Sequence, residues 1–255
     1  MLIGGDLVVI CPTLWRRANA ERLVESWAAT PRAADTHLAL IADRVDRSYE
    51  GMRLPAGVRI WYPLGFGWLT EKTNIVARAF AGTHTAVMST GDDSIFTDPG
   101  WDGKLLEPLE AAPGVSWPVE ERPHPNPGSF VVSSEIVDAL GWLMLPDLHH
   151  HWADHATWQL ANDAGCGHPT DARLPQLHYQ QRPDIPYDAT YQRGESMARQ
   201  DADAYQAWKN SPRYAEAVAK VRGAVAAGHR PRSGSIHQGA GEPWETKGSG
   251  ARGPG

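Results

Sequence analysis

Ala86-Val87-Met88-Ser89-Thr90-Gly91-Asp92-Asp93-Ser94 is the stretch on which the reading of this chain turns. A short apolar run, read as a strand from Thr85 to Ser89, passes directly into two adjacent carboxylates. Ligands of open α/β sheets sit beyond the carboxyl ends of the strands, so Asp92 and Asp93 are aimed at the expected cleft. Neighbouring carboxylates there suit a hard divalent cation whose other positions are filled by water and phosphate oxygens. Gly91-Asp92-Asp93-Ser94 is equally good turn chemistry, and a plain turn is the competing reading.

Upstream, short apolar runs alternate with helical stretches. Leu7 to Cys11 reads as a buried strand and Arg17 to Ala29 as a helix with Leu23, Val24 and Trp27 on one face. Leu38 to Ala42 and Val58 to Tyr62 are the next strands, and Thr70 to Ala81 a helix with Ile75, Val76, Ala79 and Phe80 as its stripe. This alternation predicts βαβ units and a largely parallel sheet. Downstream the pattern is mixed. It predicts a helix from Asp98 to Ala111, a strand from Val115 to Val119, and a Pro-rich loop from Arg122 to Gly128. A strand from Ser129 to Val132 then leads into a short helix from Ser134 to Leu140. A helix from Trp152 to Ala164 and a last strand from Leu174 to Tyr179 follow. Glu195 to Asn210 and Arg213 to Ala227 read as two helices of a peripheral appendage, and the Gly-, Pro- and Ser-rich run Gly228 to Gly255 as disordered. The expected organisation is therefore a main domain over 1–194, a helical extension over 195–227 and a tail over 228–255.

The 255 residues suit one medium domain with a small appendage, and 42% hydrophobic with 21% charged residues excludes collagenous, coiled-coil and wholly disordered chains. With 24 Lys and Arg against 30 Asp and Glu the net charge is −6, and no basic block appears, so nucleic-acid binding is not indicated. An acidic chain that handles a phosphorylated ligand needs local cations at the site. The two cysteines, Cys11 and Cys166, fit a reducing compartment. No basic leader precedes the first strand, and no apolar run approaches the roughly 20 residues that cross a bilayer. Direct membrane insertion is thus not expected, and a cytoplasmic location is. The 11 tryptophans agree with a sugar ligand, whose C–H faces pack on indole rings, although such rings chiefly fill cores.

Four landmarks recur in order: Val8-Val9-Ile10-Cys11-Pro12-Thr13, then Ile41-Ala42-Asp43, then Glu71-Lys72-Thr73-Asn74, then Gly91-Asp92-Asp93-Ser94. Their succession resembles the nucleotide-binding half of GT-A-fold glycosyltransferases, particularly family 2. The resemblance implies an α/β fold with a mostly parallel or mixed central sheet flanked by helices. It implies Mn²⁺ or Mg²⁺ as cofactor, a nucleoside diphosphate-sugar donor, and a hydroxyl acceptor on a glycan, protein or small molecule. It puts Pro12 and Thr13 at the base or ribose, Asp43 on the base, Arg16 and Lys72 near the diphosphate, and Asn74 and Asp92 in the donor site. Asp92 and Asp93 would hold the metal, and His178, in Leu177-His178-Tyr179, is similar to the C-terminal histidine that completes metal coordination in many such enzymes.

The likeness continues to about Tyr179. Gly128-Ser129-Phe130-Val131-Val132-Ser133-Ser134 with Val137 to Gly141 looks like the acceptor-side strand and helix. His151-Trp152-Ala153-Asp154-His155-Ala156-Thr157-Trp158 is similar to the segment that places a catalytic carboxylate just inside a helix. For an inverting reaction this makes Asp154 the general base, with Asp147 in reserve. The usual Glu-Asp pair is here Ala153-Asp154, which leaves one carboxylate for the role.

Each residue also has an ordinary reading. Arg16 suits a solvated helix start, Asp43 a strand-end turn, Asn74 a local hydrogen bond, Asp154 a first-turn carboxylate favoured by the helix dipole, and His178 a structural histidine. His149, His150 and His151 diverge by roughly 100° per residue on a helix and cannot all face one metal. His151 and His155 have the spacing of a zinc-protease motif, but Trp152 stands where that motif needs glutamate. Two rival functions remain. A nucleotidyltransferase needs a Gly-rich loop after the first strand, which Thr13-Leu14-Trp15-Arg16-Arg17 lacks. A non-catalytic carbohydrate-binding protein has no use for the acidic pair.

Overall fold

The computed structural model describes residues 4–120, 126–180 and 182–230. Most of the expected Pro-rich loop and the tail beyond residue 230 lie outside them. In chain order the elements are β1 (Gly5–Pro12), α1 (Arg17–Ala29), β2 (Thr36–Ile41), β3 (Val58–Trp61), α2 (Leu69–Ala81), β4 (His84–Ser89) and α3 (Trp101–Leu106). They continue with β5 (Val115–Val119), β6 (Phe130–Ser133), α4 (Ser134–Leu140), α5 (Ala153–Ala164), β7 (Gly167–Arg173), α6 (Ala189–Glu195), α7 (Ala198–Lys209) and α8 (Pro212–Ala227).

The strands form one sheet in the order β3-β2-β1-β4-β6-β5-β7. β1 pairs in parallel with β2 and β4, and β2 with β3; α1 makes the crossover from β1 to β2, residues 42–57 the one from β2 to β3, and α2 the one from β3 to β4. β6 runs antiparallel to both β4 and β5, which makes the sheet mixed. Strand residues alternate between two cores. Leu7, Val9 and Cys11 face the side covered by α1 and α3, while Val8 and Ile10 face the side of α2, α4 and α5. Leu7, Val8, Val9 and Ile10 are all fully buried, each contributing about 1.5–3 kcal/mol of transfer free energy. β1 is thereby fixed between two apolar layers, and its carboxyl end is held beside that of β4.

Three expectations are corrected. The last strand is Gly167–Arg173, not Leu174 to Tyr179. Its sequence GHPTDAR has no apolar alternation because it is an edge strand with Ala172 as its one buried side chain among largely wetted ones. Leu174 to Tyr179 instead runs past the acidic pair, joined by a bridge between Ser94 and Gln176 and by Leu177 N–H donating to the Asp93 carbonyl at 2.8 Å. The helix expected from Asp98 to Ala111 starts only at Trp101, after Gly100 at φ 72°, and gives way to a 3₁₀ turn over Glu107–Leu109 where Pro108 removes a backbone donor. Finally, α7 and α8 are not peripheral. Tyr205, Trp208, Val221 and Ala224 belong to the core on the α2 side of the sheet.

Candidate active site

A cleft of about 490 Å³ opens at the carboxyl ends of β1 and β4, and Thr13, Arg16, Lys72, Asp92, Asp93 and Asp154 all line it. Asp92 is buried at the end of β4. Its Oδ2 accepts from Thr13 Oγ1 at 2.7 Å and its Oδ1 faces Arg16 Nη1 at 3.2 Å. Burial pushes its carboxyl up to about 6; Arg16 and Thr13 pull against that shift and the neighbouring Asp93 charge adds to it. Thr13, immediately after β1, also meets Tyr49 Oη at 2.8 Å, so strand end and acidic pair are tied together.

Arg16 is the hub of the cleft. It forks onto Asp188, Nε to Oδ2 at 2.8 Å and Nη2 to Oδ1 at 2.7 Å, and lies 3.7 Å over the Tyr191 ring. Burial works against its charge, but Asp188 and Asp92 hold the guanidinium above its ordinary range. Asp188 also caps α6, its Oδ1 accepting from the Thr190 and Tyr191 N–H groups at 3.0 Å each. Tyr191 Oη in turn donates to Asp93 Oδ2 at 3.3 Å. The sequence reading passed over Asp188, Tyr191 and Arg193. Asp188-Ala189-Thr190-Tyr191 is a helix-start signature that marks α6, although nothing local says that α6 folds back onto Arg16.

On the β2 side, Asp43 is wholly buried, with Lys72 Nζ at 3.2 Å and the Gly67 N–H at 3.2 Å on its Oδ1. Its Oδ2 is buried with no hydrogen-bond partner among the described residues. Burial lowers the Lys72 ammonium from its usual range, opposed by Asp43. Arg193 joins this group, held between the Phe66 ring at 4.0 Å and the Trp68 ring at 3.9 Å. Pro12 lines the cleft with Lys72. Asn74 does not. Its amide is used on the Met144 carbonyl and on the Leu143 and Met144 N–H groups, at 2.7–2.9 Å, pinning α2 to the chain after α4.

Across the cleft, Asp154 sits in the first turn of α5, its Oδ2 accepting from Asn126 Nδ2 at 3.1 Å. The preceding loop is held from α7. The fully buried Asp201 accepts the N–H groups of His149, His150 and His151 at 2.8–2.9 Å and the His149 ring at 2.8 Å. His150 lines the cleft, and a Cβ on Gly194 of α6 would come within 2.8 Å of its ring. Asp147, the reserve base, is paired with Arg213 at 2.7 Å and is not among the cleft residues.

Asp92 and Asp93 present the hard oxygen donors that Mg²⁺ or Mn²⁺ takes from protein, and a cation would offset the burial and the neighbouring Asp93 charge that raise the Asp92 carboxyl. The donor set therefore fits a divalent ion whose remaining positions fall to phosphate and water. His178 lines the same cleft, with Nδ1 accepting from the Gln180 N–H at 3.3 Å and its ring against Tyr191. Among the described residues, however, no three His, Cys, Asp or Glu side chains converge on one point, so His178 is not drawn into a ready cage with the aspartates. The same holds for His151 and His155.

No protein-family model matches the sequence, and a search of curated proteins finds no match. Solved structures do match in fold. The mannosyltransferase PcManGT from Pyrobaculum calidifontis, in complex with GDP-Man and Mn²⁺, aligns with a TM-score of 0.58 at 13% identity over 88% of this chain and 75% of its own. Glucosyl-3-phosphoglycerate synthase from Mycobacterium tuberculosis, with Mn²⁺, UDP and phosphoglyceric acid, aligns with a TM-score of 0.58 at 14% identity over 82% of this chain and 80% of its own. The same enzyme with UDP-Glc aligns at 0.57 and 15% identity. The chain has the GT-A fold.

Proposed function

We propose that this protein is a metal-dependent glycosyltransferase that moves a sugar from a nucleoside diphosphate donor to an acceptor hydroxyl. The observation that carries the reading is the position of Asp92 and Asp93, buried side by side at the end of β4, with Asp92 bonded to Thr13 and Arg16 and with Lys72 lining the same cleft. The GT-A fold supports it, as do the nucleotide-sugars and Mn²⁺ named with its structural neighbours. A cytoplasmic setting is supported by two free, buried cysteines. Among the described residues no helix is long and apolar enough to cross a membrane.

On this reading the Pro12-Thr13 turn holds the nucleoside, and Asp43, wholly buried behind the cleft lining, holds Lys72 in place through Oδ1. Lys72 and Arg16 set positive charge against the diphosphate, Lys72 as a compact ammonium and Arg16 as a planar fork. Mn²⁺ or Mg²⁺ held by Asp92 and Asp93 would supply charge neutralisation on the leaving diphosphate. Asp154 accepts the proton of the acceptor hydroxyl as that oxygen bonds to the anomeric carbon, and the bond from that carbon to the diphosphate oxygen breaks. The pair of electrons leaves with the nucleoside diphosphate. Incubating the protein with UDP- and GDP-sugars, with Mn²⁺ or with chelator, tests this. Metal-dependent release of the nucleoside diphosphate is expected, and the absence of release from every donor would overturn the reading.

A further inference from the structure

Among the described residues, the only non-glycine residues with positive φ are two tryptophans, Trp15 at 55° and Trp152 at 65°. Both are among the exposed large hydrophobics, at 51% and 36%. A bulky side chain in the left-handed region is a backbone outlier that costs about 1–2 kcal/mol, and such strain gathers at ligand-binding positions. Trp152 is the one in the cleft wall. It stands directly before α5, its carbonyl taking the first helical hydrogen bond from Ala156 N–H at 2.8 Å, so the strained turn fixes the ring at the mouth of the helix that carries Asp154.

The ring is held from behind. Tyr205 of α7 stacks on it with centroids 5.1 Å apart and planes 16° from parallel, and His155 meets it edge-on at 5.2 Å. Tyr205 is itself buried in the core, so the support is rigid. One indole face is thus packed while the residue remains exposed and lines the cleft. The same cleft is lined by the planar polar side chains of Asn126, Asp154 and Gln176. A flat, braced aromatic face in a cleft that also carries planar hydrogen-bonding groups is complementary to a pyranose ring, which has an apolar C–H face and an equatorial belt of hydroxyls.

We propose that the free face of Trp152 is a stacking platform for a pyranose ring of the acceptor, which makes the acceptor a carbohydrate. The assignment to the acceptor, as opposed to the donor sugar, rests on the glycosyltransferase reading above: Trp152 is two residues from the proposed base, while that reading puts the nucleotide at Pro12, Thr13 and Lys72. A structural peg does not need a tryptophan, since glycine suits the left-handed backbone without strain.

Saturation-transfer NMR on the full chain, with methyl glycosides of glucose, mannose and galactose as probes and UDP or GDP with Mn²⁺ present, tests the platform. Saturation should reach the ring C–H protons of at least one glycoside in the wild type. It should fall in Trp152→Gly, with affinity weakened about fivefold to tenfold, and return in part in Trp152→Phe. Thermal melting of the same samples reports nucleotide binding separately, so failure of the donor reading shows as a missing nucleotide shift whatever the glycosides do. No glycoside signal in the wild type, or an equal signal in Trp152→Gly, overturns the proposal. So does partial loss in Trp152→Phe equal to that in Trp152→Gly.

Discussion

Arg16 and Asp188, 172 positions apart in the chain, are joined by a two-bond fork at 2.8 and 2.7 Å. The contact closes α6 over the cleft and holds the guanidinium between the Asp92 carboxylate and the Tyr191 ring. Lysine keeps the charge but not the planar fork. Arg16→Lys should therefore lower stability by about 1–2 kcal/mol and raise the donor KM about tenfold or more, measured by denaturant unfolding and donor titration. Unchanged donor KM would remove Arg16 from the diphosphate site.

Asp154 is assigned the proton, not the donor. Asp154→Asn should slow sugar transfer on the order of 10²–10⁴-fold while donor affinity, read by nucleotide-induced thermal shift, stays near wild type. Loss of donor affinity in parallel would show a binding or structural role.

Burial sets the Asp92 carboxyl at about 6 in the fold, above its ordinary 3.8. The native state then holds the proton more tightly than the unfolded chain. The metal-free protein loses this contribution to stability as pH rises from about 3.8 through about 6. Cation binding needs the deprotonated form and runs the other way. The thermal shift produced by Mn²⁺ with nucleotide should accordingly grow as pH rises through about 6, and a shift independent of pH over that window would contradict the assignment.

Asp201 organises the loop before α5 by accepting three successive backbone N–H groups. Asp201→Ala leaves those donors without their partner and should cost about 3 kcal/mol in denaturant unfolding. It should also lower turnover, because the same loop leads into Trp152 and Asp154.

The half of the molecule from β1 to β4 was legible in sequence because β1, β2 and β4 are buried on both faces and α1 buries Leu23, Val24 and Trp27 on one face. By contrast, α2 buries Thr70, Lys72, Thr73 and Asn74 beside Val76 and Phe80 and leaves Ile75 and Ala79 half-buried. Leu7 to Cys11 and Arg17 to Ala29 need no tertiary information, and the acidic pair follows its strand without a break. β7 was misplaced because an edge strand with one buried residue has no periodic signal. α7 and α8 read as an appendage because local sequence does not say which partner a stripe meets. Tyr205 and Trp208 find theirs on the sheet's α2 side. For the site, Thr13, Arg16, Lys72, Asp92, Asp93, Asp154 and His178 do share one cleft. Asn74 has a structural hydrogen-bonding task, and Asp188, Tyr191 and Asp201 reach the site only through long-range folding.

On the proposed function, Asp92 and Asp93 hold a divalent cation against a diphosphate. Electron paramagnetic resonance of Mn²⁺ titrated into the protein with GDP or UDP measures this directly. Mn²⁺ should be immobilised in a nucleotide-dependent way in the wild type, with affinity weakened at least about tenfold in Asp93→Asn and in Asp92→Ala. Equal Mn²⁺ affinity in the variants, or wild-type binding indifferent to the nucleotide, would contradict it.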